Sequence, residues 1–192
     1  MTSEQLNNMA SNDLQTLSTT QIKALTVNQI SSLSTDQLNK LTTAQTQALT
    51  TTQVAAMTSD QLNNLASDDL QALTTSQVKA LTTTQISTLT SGQIQLLKTE
   101  QVGALSAAQA GKVTTDAIAA LSTAQIKVLT SDALNALDSD QLAAIETADI
   151  AALTTAQLSK LSTTLVSKLN TDQIVALTAD QVKALTTAQV AS

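Results

Sequence analysis

The chain has 192 residues, nine Lys against fifteen Asp or Glu, and a formal charge of −6; it contains no His, Cys, Pro, Arg, Phe, Trp or Tyr. Without imidazole or thiolate, the usual zinc, haem and iron–sulfur ligand sets are excluded, and so are His- or Cys-based acid–base and nucleophile pairs. Without aromatic rings there is no platform on which a base or sugar could stack, and an acidic balance with no basic stripe argues against nucleic acid and anionic membrane as partners.

The hydrophobic fraction is 42%, much of it Ala, with Leu, Ile, Val and Met as the only large apolar residues. No apolar run approaches the ~18 residues that a membrane span needs. The opening Met1-Thr2-Ser3-Glu4-Gln5 has neither the basic nor the apolar segment of a signal peptide. The absence of Cys fits a reducing compartment and equally a secreted protein built without disulfides.

From Met1 onward the chain is written in units of eight, and 24 octads fill it. The commonest form is Leu-Thr-Thr-x-Gln-(Ile/Val/Leu)-x-Ala. Position 1 is apolar in all 24 octads, position 6 in 23 with Thr46 the exception, and position 5 is Gln in 18 and Asp at Asp13, Asp69 and Asp149. A single long helix does not fit, because at about 100° per residue an eight-residue period drifts by ~80° per repeat and the apolar stripe would wind around the rod. A β-solenoid remains the alternative, since an even period suits strand alternation. Against it, positions 1 and 6 have opposite parity, and three Gly with no Pro leave few residues for corners.

One short helix per octad accounts for the details. In the first octad Thr2 stands as N-cap, Gln5 lies three residues on, and Met1 and Leu6 flank them. This is a capping box together with the apolar N′–N4 pair of a hydrophobic staple. Position 2 is Ser, Thr, Asp or Asn in 20 of the 24 octads, the residues whose side chains accept from free helix N–H groups. All fifteen acids lie at positions 2, 4 or 5, and eight of nine Lys at positions 7 or 8, Lys98 being displaced. Acid at the start and base at the end matches a helix dipole; a strand has no such polarity. Each predicted helix runs from about position 3 to position 8, far too short to be stable alone. The predicted fold is therefore an all-α tight solenoid, a single domain over residues 1–192, with Leu and Ile or Val inward and Thr, Gln and Lys outward.

Farther along, residues 57–88 repeat residues 1–32 at 22 of 32 positions, an offset of seven octads. A whole number of superhelical turns and a segmental duplication both account for it. The stretch Gln101–Asp116, with Gly103, Ala110, Gly111 and Val113, is the least regular, either as a local bend or as drift. Neither end resembles the polar terminal cap of a solenoid, so the chain reads as an excerpt of a longer array.

No residue is assigned a catalytic, cofactor-binding or metal-binding role, and no cofactor is expected. A Ser–Lys dyad is conceivable, but the lysines read as solvated helix ends. Position-4 acids could line up for Ca²⁺, with Asp68-Asp69 and Asp138-Asp140 the densest places, but helix-dipole partners explain them. The Gln column could suggest an amide ladder; capping explains it with less.

The unit Leu-Thr-Thr-Ala-Gln, at Leu41–Gln45 and Leu153–Gln157, resembles the octapeptide-repeat tracts of very large bacterial surface or secreted proteins, some of them adhesin-like. The resemblance covers the whole chain. It implies an extracellular or cell-surface location and a spacer, stalk or scaffold role, with no catalytic residues to carry over. The alternative is a binding module that uses its regular surface for a protein partner, or for ice through Thr arrays. Protein partners and end-to-end self-association are the expected contacts; nucleic acid and membrane insertion are not.

Overall fold

In the computed structural model the backbone of residues 1–192 is described, with every side chain but that of Ser11. Each octad carries one helix. In order these are α1 (Ser3–Asn7), α2 (Ser11–Leu14), α3 (Thr19–Ala24), α4 (Val27–Ser32), α5 (Thr35–Leu38), α6 (Thr43–Ala48), α7 (Thr51–Ala56) and α8 (Ser59–Asn63). Then come α9 (Ser67–Ala72), α10 (Thr75–Ala80), α11 (Thr83–Thr88), α12 (Ser91–Leu96), α13 (Thr99–Val102), α14 (Ala107–Ala110), α15 (Thr115–Ala119) and α16 (Thr123–Val128). The last eight are α17 (Ser131–Asn135), α18 (Ser139–Ala144), α19 (Thr147–Ala152), α20 (Thr155–Ser159), α21 (Thr163–Val166), α22 (Thr171–Val175), α23 (Ala179–Ala184) and α24 (Thr187–Val190). No strand occurs among the described residues.

Where a helix runs to the end of its octad, the link to the next is two extended residues. After α11, Leu89 has φ −63° and ψ 131°, and the Thr82 cap before it has φ −70° and ψ 157°. No residue adopts positive φ, so the corners need no Gly. The cap itself stops the preceding helix. The N–H of position 1 still donates to the position-6 carbonyl, as Leu25 does to Ile22 at 3.2 Å. At the N-terminus the cap and Gln exchange hydrogen bonds. Thr82 N–H donates to Gln85 Oε1 at 2.8 Å and Gln85 N–H to Thr82 Oγ1 at 3.1 Å. Two of the free N–H groups of a short helix are satisfied in this way.

A helix of six residues has no independent stability, so packing decides the fold. Nearly every helix lies on the third one along, α1 on α4, α4 on α7, α7 on α10, and so on to α21 on α24. Positions 1 and 6 form two apolar columns between turns, from Leu33 and Leu38 to Leu161 and Val166, nearly all fully buried. Three to four helices per turn, each turn as thick as the ~8–10 Å between packed helices, give a rod about 60 Å long. Its surface, 8910 Å², is close to the ~8,700 Å² expected for a compact monomer of this mass, so the coil is filled by its own side chains.

The structure corrects one sequence expectation. Glutamine was placed in the outer shell with Thr and Lys, yet from Gln29 to Gln189 the position-5 glutamines are buried, Gln101 to 1% exposure. The cause is the second half of the amide, described next. The irregular Gln101–Asp116 stretch keeps the stacking pattern. A Cβ on Gly103 would stand 3.1 Å from the Val128 carbonyl, and one on Gly111 would stand 2.8 Å from that of Ala136. These two glycines allow successive turns to approach where a side chain would hold them apart.

Candidate functional site

The most specialised part of the molecule is an internal seam of glutamine amides. Oε1 of each position-5 Gln accepts from its own N-cap, and from Gln29 on Nε2 points to the turn before. Gln101 Nε2 donates to the carbonyls of Leu70 (3.0 Å) and Leu73 (2.8 Å), 31 and 28 residues earlier. The same offsets recur at Gln45, Gln53, Gln61, Gln77, Gln85 and Gln109, and again near the end at Gln173, Gln181 and Gln189. One side chain thus starts its own helix and ends another, four helices back. The position-6 carbonyl also accepts from the position-1 N–H, whereas the position-1 carbonyl lies past the helix end, and burying it unpaired would be costly. The 28-residue offset is three and a half octads.

Where the glutamine is replaced, the seam is repaired or altered. At Leu165 no amide is available for the Ser162 N–H, and Asn135, from the turn before, supplies Oδ1 at 2.7 Å while its Nδ2 donates to the Lys160 carbonyl at 2.9 Å. Asn39 does the same at the Asp69 octad, accepting from Ala66 N–H at 2.9 Å and donating to the Asn64 carbonyl at 2.7 Å. Lys98, the displaced lysine, heads α13 with half a cap. Its N–H reaches Gln101 Oε1 at 2.7 Å, but an ammonium has no lone pair to offer in return.

The Asp residues singled out in the sequence separate into two kinds. Asp138 is an N-cap, its Oδ1 accepting from Asp140 N–H (3.0 Å) and Gln141 N–H (2.8 Å). Asp68 is exposed. Asp69 is buried and accepts from the hydroxyl of Thr46, the one polar residue in the position-6 column, at 3.1 Å. Burial pushes the Asp69 carboxyl above its ordinary value; the Thr46 hydrogen bond opposes this, and the neighbouring Asp68 charge adds to the rise. No group of three His, Cys, Asp or Glu placed to hold a metal ion occurs among the described residues.

A shallow cleft of about 510 Å³ opens beside Gly103, edged by Lys79, Ser106, Thr130 and Asp132. It exists because position 7 of that octad has no side chain. Lys79 and Ser106 share it without a hydrogen bond between them. The Ser106 hydroxyl accepts from Gln109 N–H at 3.3 Å, which is capping geometry. The one ion pair among the described residues, Lys183 with Asp180 at 3.7 Å, is an exposed i,i+3 contact of the kind that contributes little. No helix is long and apolar enough to cross a membrane.

The ALTTAQ repeat profile matches in five segments, residues 6–43, 63–99, 114–144, 142–179 and 166–192. No curated protein matches the chain.

Proposed function

The chain belongs to the ALTTAQ repeat family, and on that premise we propose that it is a non-catalytic structural module, an extended spacer or scaffold of a bacterial surface or secreted protein. The observation that carries the reading is the uniformity of the seam. The same helix packing runs from the first turns to the last, and amide bonds to the previous turn recur at every position-5 Gln from Gln29 on. In such an array each unit touches only its neighbours, so length grows with copy number while the cross-section stays fixed. A surface or secreted setting rests on the likeness to octapeptide tracts.

The reading is tested by small-angle scattering on the chain and on a tandem duplication of it. A spacer requires the maximum dimension to double at constant cross-sectional radius. Growth as the cube root of mass would reject it. Ice binding through Thr arrays has less support, because the position-2 hydroxyls are turned to their own helices as caps, as at Thr82 and Thr178.

A further inference from the structure

The seam is loosened at Gln93. Its Nε2 donates to the carbonyls of Asn63 at 3.0 Å and Leu62 at 3.3 Å, and not to that of Leu65, where the 28-residue offset would lead. The Thr90 N–H that its Oε1 accepts lies at 3.0 Å, against 2.8 Å for Thr82 to Gln85 and 2.7 Å for Lys98 to Gln101. Gln93 is 9% exposed where Gln101 is 1%, and Gly92 beside it weakens the first turn of α12. In the octad that Gln93 reaches, Asn63 Oδ1 is buried with no hydrogen-bond partner, the one side-chain atom of this kind among the described residues. A bare buried acceptor is costly, so its presence needs a cause.

The cause is competition for one N–H. Asn63 stands at position 7, as Asn39 and Asn135 do. Each of those two accepts from an N-cap N–H 27 residues on and donates to a carbonyl 25 residues on, and serves an octad that holds Asp69 or Leu165 in place of glutamine. From Asn63 the same offsets lead to the Thr90 N–H and the Thr88 carbonyl. The Thr90 octad has its own glutamine, however, and Gln93 holds that N–H. We propose that the Thr90 N–H has two alternative acceptors, and that the start of α12 exchanges between them. In the state described, Gln93 accepts from Thr90 and Asn63 Oδ1 is bare. In the other, Asn63 accepts from Thr90 and donates to the Thr88 carbonyl, and the Gln93 amide leaves the seam. Neither state satisfies every group. The first strands Asn63 Oδ1, and the second gives up the Gln93 bonds to the Leu62 and Asn63 carbonyls, of which Leu62 keeps the Leu65 N–H at 3.2 Å. The Thr90 N–H is bonded in both, so the amide parts from the turn before without uncapping α12. This joint of the rod is a bistable element, and anything that binds one state better shifts it.

The test is amide hydrogen exchange, resolved by NMR, on the full chain. In wild type the Gln93 side-chain amide is expected to exchange at least about tenfold faster than those of Gln85 and Gln101, while the Thr90 backbone N–H is as protected as that of Thr82. Asn63→Ala removes the second acceptor and should slow Gln93 exchange to the rate at Gln101. Gln93→Ala hands the N–H to Asn63, so Thr90 should stay protected and the melting temperature should fall less than in Gln101→Ala. Only the double variant should lose the Thr90 protection. The wild-type comparison needs no variant, so it decides even if a substitution unfolds the chain. A Gln93 amide as protected as that of Gln101 in wild type, or loss of Thr90 protection in Gln93→Ala alone, would overturn the proposal.

Discussion

Thr46 donates through Oγ1 to Oδ1 of Asp69 across 3.1 Å, with both side chains buried between α6 and α9. It is a polar contact inside an otherwise apolar column. Burial raises the Asp69 carboxyl, the Thr46 hydrogen bond opposes the rise, and the charge of Asp68 adds to it. A carboxyl whose folded pKa is raised stabilises the fold below its unfolded value, and that stability is lost as pH rises through the folded value. Relative to Asp69→Asn, wild type should therefore lose melting temperature from about pH 4 toward neutrality. Parallel curves for the two proteins would refute this. Thr46→Val, which strands the buried carboxylate, should cost about 1–3 kcal/mol at pH 7.

The seam predicts a steep contrast between glutamines that look alike in sequence. Gln101→Ala removes the Lys98 cap acceptor and both carbonyl bonds to the previous turn, and should cost about 2–4 kcal/mol in urea unfolding. Gln5→Ala loses only a cap acceptor at an exposed position, and should cost under ~1 kcal/mol. Gln101→Glu keeps the acceptor but loses the donor and faces carbonyl oxygens, so it should be at least as damaging as Ala. Equal, small effects at both sites would show that the buried amides contribute nothing.

Asn135 and Leu165 should be coupled. Asn135→Ala leaves the Ser162 N–H and the Lys160 carbonyl without their partners, a loss of about 1–2 kcal/mol. Leu165→Gln restores the local acceptor and supplies a donor toward Leu134 and Leu137. In the double variant the Asn135 loss should shrink by at least half, a coupling that a double-mutant cycle measures directly. Strict additivity would refute the repair role of Asn135.

Gly111 and Gly92 give opposite expectations for the same substitution. A Cβ at Gly111 would stand 2.8 Å from the Ala136 carbonyl, whereas one at Gly92 meets nothing within 4 Å. Gly111→Ala should destabilise by about 1–3 kcal/mol through overpacking. Gly92→Ala, at a helical position, should stabilise by up to about 1 kcal/mol. Thermal melts of the two variants moving in the same direction would contradict the described approach of the turns.

The local half of this architecture is legible in the sequence because caps, staples and dipole charges act within six residues, as in Thr2, Gln5 and Leu6. The all-α solenoid follows from them. The long-range half is harder, since nothing in Leu-Thr-Thr-x-Gln says which turn lies beneath. One signal was present all the same. A capping box accepts Glu as readily as Gln, and this chain places acids freely in its first turns, yet position 5 never holds Glu. The amide gives Gln a donor to the previous turn that Glu could not supply. Thr46 and Asp69 stand out singly for the same kind of reason, but their 23-residue separation acquires meaning only once three helices per step is known. Asn39 and Asn135 carry no local mark, because each compensates for a residue missing a full turn away.

Hydrogen exchange of the glutamine side-chain amides, resolved by NMR, tests the seam most directly. Slow exchange is expected at Gln45, Gln77, Gln101 and Gln181, whose Nε2 groups are buried against carbonyls. Fast exchange is expected at the exposed position-7 residues Gln47 and Gln95, which serve as internal controls. Uniform, unprotected exchange at all glutamines would contradict a rod held together by its amides.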